Sequence, residues 1–202
     1  AAPGAASVCF RVGTPIWMNA ARFAELLALL DRHPGVADEL TLFTSETHPP
    51  LPLEVVHARM PVLAERMTAA RRHGLRAGIN VLATIGHHEE NLANSLAGHY
   101  TPMTAIDGRV CRGSYCPNDS GFREYVASLY AAVAAAGPDY IWLDDDIRLW
   151  GHMPIAAGCF CPTCLGLLAA RTGRAWTRDG LRSALAAGEA RIIPDYQVRI
   201  GA

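Results

Sequence analysis

Three cysteines stand in Cys159-Phe160-Cys161-Pro162-Thr163-Cys164, and a fourth lies well upstream in Tyr115-Cys116-Pro117-Asn118. Zinc favours thiolate ligands, and a C-x-C-x-x-C run brings three of them within the radius of one ion. One distant side chain then closes a tetrahedral shell. Cys116 and Cys111 are both candidates for that fourth ligand, and His152 is a weaker one. A redox pair at Cys161 and Cys164 is the competing chemistry. Such a pair normally opens a helix directly after a strand, whereas here a long loop precedes it. Cys9, inside an apolar run, reads as a small core residue.

A second cluster could move protons. The apolar run Tyr140-Ile141-Trp142-Leu143 ends in Asp144-Asp145-Asp146. On an extended chain Tyr140, Trp142 and Asp144 face one way, while Ile141, Leu143 and Asp145 face the other. Neighbouring carboxylates repel, so one of them should keep its proton to a higher pH than a free Asp, which is how a general acid is held ready. Adjacent Asp residues also bind Mg²⁺ or Mn²⁺, the rival use of the same run. His87, His88, Glu89 and Glu90 follow another strand-like run, and Glu46 and His48 follow a third. Arg148 comes just after the acids. Trp17, Trp150 and Phe160 are aromatic residues expected in loops, where they could stack on a ligand.

The elements that must position these groups alternate between short apolar strands and amphipathic helices, the pattern of a parallel α/β architecture. Strands are expected near 8–12, 39–44, 76–82 and 140–143. Helices are expected after Asn19, from about Val55 to His73, over 122–136, 162–171 and 177–188. Pro61 should kink its helix or mark its first turn. The connection 84–120 is long for a compact domain and carries one helical patch near 89–96. About four parallel βα units with large insertions after the third and fourth strands suit part of a TIM (β/α)₈-type barrel, which places functional loops at the C-terminal ends of its strands. The expected organisation is a linker-like 1–6, a single partial-barrel domain over 7–188 with a Cys-rich loop at 147–165, and an irregular tail at 189–202.

Composition excludes several classes. Half of the 202 residues are apolar, 18% are charged and the formal net charge is −1, so the chain is globular and not disordered. The basic residues are scattered, which argues against nucleic acid and against a membrane surface, and no apolar run is long enough to span a bilayer. Free cysteines at metal-ligand spacing favour a reducing compartment, the cytoplasm.

These segments resemble the zinc-containing beta-galactosidases, glycoside hydrolase family 42. Tyr115-Cys116-Pro117-Asn118, Trp142-Leu143-Asp144-Asp145-Asp146 and Cys159, Cys161 and Cys164 follow that family's order and approximate spacing over about 76–172. The resemblance implies a structural zinc on Cys116, Cys159, Cys161 and Cys164. It also implies a carbohydrate ligand and a catalytic acid/base at Asp146, with Asp145 taking the role if the register slips by one. Asp144, Glu46, His87, His88 and Arg148 would bind substrate. Asp146 replaces the family's Glu and Asp145 its Asn, so the sugar and the geometry are expected to differ. The family's nucleophile ends a seventh strand, so the isolated polypeptide is expected to show no turnover. Two rival functions are a divalent-metal-dependent glycosyl or phosphoryl transferase using Asp144–Asp146, and a non-catalytic, zinc-stabilised carbohydrate-binding or interaction module. Open sheet edges would also favour a homo-oligomer.

Overall fold

The computed structural model describes residues 6–86, 89–90, 92–96, 99–144 and 147–189. In chain order the elements are β1 (Cys9–Val12), α1 (Thr14–Trp17), α2 (Ala20–Arg32), β2 (Glu39–Phe43), α3 (Leu53–Arg72), β3 (Arg76–Val81) and a 3₁₀ turn (Leu92–Asn94). Then follow β4 (Pro102–Thr104), β5 (Val110–Tyr115), α4 (Ser120–Ala135), β6 (Ile141–Leu143), β7 (Trp150–His152), β8 (Ile155–Ala157), α5 (Pro162–Thr172) and α6 (Arg178–Ala186). They form a mixed α/β structure that divides into two compact units.

The first unit comprises the described residues up to Thr47 together with Leu51–Thr84 and Val126–Asp144. Its sheet is wholly parallel, in the order β1-β2-β3-β6, so each strand pairs with the next parallel strand of the chain. Alternation along the strands sorts the two faces. Val12, Leu40, Leu42, Ala77, Ile79 and Val81 point one way and are at most 4% exposed. The helices supply matching apolar stripes: Phe23, Leu27 and Leu30 on α2, and Val56, Met60, Leu63, Met67 and Ala70 on α3, with α3 packed on β3. Asn19 caps α2 by accepting from the N–H groups of Ala21 and Arg22, which satisfies two of the donors a helix start leaves open. Pro61 lies inside α3 and not at its first turn, because the helix already begins at Leu53 after Pro52. Trp17 is no loop platform. It is fully buried at the end of α1, and its indole N–H donates to the Phe43 carbonyl at 3.0 Å.

The second unit comprises His48–Pro50, Ile85–Tyr125 and the described residues after Asp144. Its two sheets are antiparallel pairs, β4 with β5 and β7 with β8. Both lie in stretches expected to be irregular, and the helical patch near 89–96 reduces to the 3₁₀ turn. The missed signal was Asp107-Gly108, the dipeptide of a tight hairpin. Gly108 sits at φ +90° and Ala105 and Arg109 close the turn. Glu89 and Glu90 open no helix: Glu89 accepts from Arg112, and Glu90 from the His48 backbone and ring. Tyr100, Tyr115, Phe122 and Tyr125 form an aromatic cluster with ring centroids 5.2 to 5.9 Å apart.

Asp119 joins two parts of this unit. Its carboxylate accepts from the Phe122 N–H at the start of α4 and from both the hydroxyl and the N–H of Thr101. The Thr101 hydroxyl, followed by these backbone donors, holds the carboxyl below its ordinary range. A depressed folded-state pKa contributes stability that is present above the unfolded value of about 3.9 and is lost as pH falls through the folded one. Asp119→Ala is therefore expected to cost about 1 kcal/mol in urea unfolding at pH 7, and less in acid. An equal cost at pH 7 and well below pH 3 would remove the carboxylate's role.

In the first unit, the Tyr140 ring lies against Gly78 so closely that a Cβ there would collide with it. Gly78→Ala is expected to lower stability by about 1 to 3 kcal/mol, the usual range for an overpacked site. Gly78→Ala combined with Tyr140→Ala should recover part of that loss, and thermal unfolding of both variants measures it.

Candidate metal centre and the polar face of the parallel sheet

Local structure in the second unit assembles the cysteines. Cys161 is the N-cap residue of α5, with Pro162 at the first helical position, where its missing N–H costs nothing. Cys164 lies within the first turn of that helix. Cys159 belongs to the extended segment before it, where the Phe160 N–H donates to the Thr104 carbonyl. Cys116 follows β5, and its N–H donates to the Thr101 carbonyl. The Cys116 sulfur lies 3.4 Å from that of Cys164 and 3.6 Å from that of Cys161, and all four sulfurs fall within 4.8 Å of one another. A tetrahedron with metal–sulfur bonds of 2.3 Å has edges of about 3.8 Å. The spacing therefore suits a single ion, and the donor set is the soft, closed Cys₄ type compatible with zinc.

The surroundings agree with that chemistry. Cys116 and Cys161 are fully buried and Cys159 is nearly so, in an apolar cluster with Ile85, Met103, Ala105 and Ile155. The Asn118 side-chain amide donates to the Cys164 sulfur at 3.4 Å, the kind of outer contact that steadies a coordinated thiolate. Hydrogen bonding within the cluster splits the thiols. Contact with Cys116, then with the other sulfurs, lowers the Cys161 pKa, while the bond to Cys159 heads the causes that raise Cys116. The position of Cys161 at a helix N-terminus also favours its thiolate.

Of the alternatives for the fourth ligand, Cys116 is in the cluster. Cys111 packs in the same apolar cluster but outside the group of four sulfurs, its own sulfur facing the Ser114 hydroxyl and the Met153 carbonyl. All six cysteines are free thiols.

The first unit presents a different arrangement. The sheet face opposite the apolar one carries Cys9 and Arg11 on β1, Thr41 and Phe43 on β2, Gly78 and Asn80 on β3, and Trp142 on β6, with Tyr140 before it and Asp144 after it. Arg11 Nη2 donates to the Asn80 side-chain oxygen at 2.8 Å and forms an ion pair with Asp144, while Asn80 Nδ2 donates to the same carboxylate. The Arg11 guanidinium lies over the rings of Phe43, at 4.7 Å, and Trp142, at 5.2 Å. One layer away, the Cys9 sulfur and the hydroxyls of Thr41 and Tyr140 lie 2.7 to 3.4 Å apart. In a flat sheet β1 and β6 would be three strand spacings apart, about 14 Å. Side-chain contacts between them show that the sheet curls toward this face.

Arg11 and Asn80 escaped notice in the sequence. Their signal is a polar residue in the middle of a parallel strand, where apolar side chains are the rule on both faces. Asn80 is fully buried, and such a residue is retained only where partners satisfy it.

The other expected site residues fare differently. Asp144 is placed as described. Glu46 is exposed after β2 and accepts from the Thr14 hydroxyl at 2.7 Å. Arg148, in the second unit, folds back so that Nε donates to the Trp150 carbonyl. Phe160 is buried in the core of α5 and α6 and cannot stack on a ligand, whereas Trp150 is half exposed. The catalytic candidates Asp145 and Asp146, together with His87 and His88, lie outside the described residues. No described helix is long and apolar enough to cross a membrane.

Comparison with known proteins finds no matching family model and no similar curated protein.

Chelation or Cys161→Ser is expected to lower the unfolding free energy by about 3 kcal/mol or more if the ion is structural. Metal binding should also weaken as pH falls, because protons compete for the thiolates. Urea unfolding with and without chelator measures the first effect and elemental analysis across a pH series the second, and metal content insensitive to Cys161→Ser would remove the centre.

Proposed function

We propose that this chain is a zinc-stabilised member of the carbohydrate-cleaving barrel enzymes, its first unit contributing four βα units of a (β/α)₈-type barrel. The observation that carries the reading is the meeting of four sulfurs, from Cys116, Cys159, Cys161 and Cys164, within 4.8 Å. These are the residues that the resemblance to the zinc-containing beta-galactosidases selects, drawn from segments far apart in the chain. Two features of the sheet support the barrel. Its strands follow one another in sequence order with no reversal, unlike a doubly wound sheet, and it curls toward its polar face.

In this reading zinc is structural. Held by four thiolates, it keeps no position open for substrate. The chemistry falls to the acidic run after β6, at the strand end where barrels carry their reactive groups. Asp146 would protonate the glycosidic oxygen as the bond breaks, with Asp145 beside it in the sequence. A second carboxylate, on the opposite side of the scissile bond, completes the reaction; the resemblance puts it on a seventh strand. The ion pair of Arg11 with Asp144 weighs against a Mg²⁺ site on the same run, because a guanidinium already occupies the carboxylate a cation would need.

In a chain that carries the remaining strands, Asp146→Asn is expected to reduce hydrolysis of nitrophenyl glycosides by at least about a hundredfold, with zinc content and unfolding temperature unchanged. Turnover unaffected by both Asp146→Asn and Asp145→Asn would overturn the assignment of the acid.

A further inference from the structure

We infer that the polar face of the parallel sheet holds a subsite for the hydroxyl groups of a neutral sugar, built from Arg11, Asn80, Asp144 and Trp142. This rests on the carbohydrate reading above and adds to Asp144 and Trp142 two residues, Arg11 and Asn80, that neither the acidic motif nor the cysteine pattern selects.

Arg11 is the centre of the argument. Its two hydrogen bonds within the protein both leave from Nη2, so among the described residues Nε and Nη1 donate to no partner. The side chain is 38% exposed, and these donors are within reach of a ligand. The guanidinium also lies over the rings of Phe43 and Trp142. With Asn80 and Asp144 holding Nη2, these contacts restrict the side chain before a ligand arrives, which lowers the ordering cost of binding.

Charge decides the class of ligand. Arg11 is already matched by Asp144, so the guanidinium carries no unmatched positive charge to attract an anion. A bound cation would meet the guanidinium. What remains is a neutral molecule rich in groups that both donate and accept, which is the description of a sugar hydroxyl. The Arg11 N–H groups would donate to a hydroxyl oxygen, and the Asp144 carboxylate, held by Asn80 Nδ2 at 3.2 Å, would accept from a neighbouring hydroxyl. Trp142, 41% exposed, offers the apolar surface that the C–H face of a pyranose covers. Buried Asn80 positions the pair and does not itself reach the ligand.

Ligand-observed saturation-transfer NMR on the zinc-loaded chain tests this, with galactose, glucose and xylose as neutral probes and galacturonate as the acidic one. At least one neutral sugar should bind saturably and resist competition by galacturonate. Arg11→Met and Trp142→Ala should each weaken that binding about tenfold or more, the loss expected for a charged hydrogen bond or a stacking surface. Arg11→Lys and Trp142→Phe should retain part of it, which separates lost contacts from misfolding; unfolding temperature and zinc content provide the second check. Saturable binding that Arg11→Met and Trp142→Ala leave unchanged would overturn this subsite and leave the carbohydrate reading standing. Preference for galacturonate would overturn its neutral character, and absence of binding by every probe would overturn the subsite, while the carbohydrate reading stands or falls on the hydrolysis assay of the chain that carries the remaining strands.

Discussion

Four thiol groups pressed together in an apolar pocket are hard to maintain without an ion between them. Cys116, Cys159, Cys161 and Cys164 offer weak hydrogen bonds to one another and little else, and burial penalises any thiolate among them. A divalent metal changes the sign of that account by neutralising the sulfur charge and tying β5 to the start of α5. The second unit has need of such a tie. Its sheets are two-stranded pairs of the kind that are marginal alone in water, and its apolar residues are divided among small clusters. The four cysteines lie in one of these clusters, so coordination of an ion would reinforce the packing there.

The first unit rests on a more common arrangement, a parallel sheet with helices over its apolar face. Its unusual feature is the other face. Parallel sheets are usually lined on both faces by branched aliphatic side chains, yet here Arg11, Thr41, Asn80, Tyr140 and Asp144 form hydrogen-bonded layers. The polar atoms turned inward here are matched: guanidinium Nη2 to carboxylate and amide, hydroxyl to hydroxyl and thiol. Such networks specify geometry strongly because a missing partner leaves a desolvated polar atom behind. A surface set by direction as well as volume is suited to recognising a ligand by its hydroxyls.

Much of the fold was legible from local signals. Asn19 marked the start of α2, and His33-Pro34-Gly35 its end, because caps and breakers act within a few residues. The four parallel strands announced themselves as short apolar runs between amphipathic helices. The two hairpins did not. Their strands are three to six residues long and carry no sustained apolar alternation, so periodicity had little to work on, and only Asp107-Gly108 pointed to one of the turns. Trp17 and Phe160 were misjudged for a related reason: an aromatic residue near a loop looks available until neighbours from distant segments are seen to bury it.

What the sequence determined by itself was the chemistry on offer. Three sulfurs at C-x-C-x-x-C spacing and a carboxylate run after an apolar strand are properties of the local chain. The tertiary structure decided which groups act together. It selected Cys116 over Cys111 although both lie in the same connection, because β5 turns their side chains toward different neighbours. It also brought Arg11, Asn80 and Asp144 to one point, from three strands separated by more than a hundred residues of chain. No local pattern encodes that meeting, since it depends on strand register and on the curl of the sheet, and both are fixed only when the helices close over its other face.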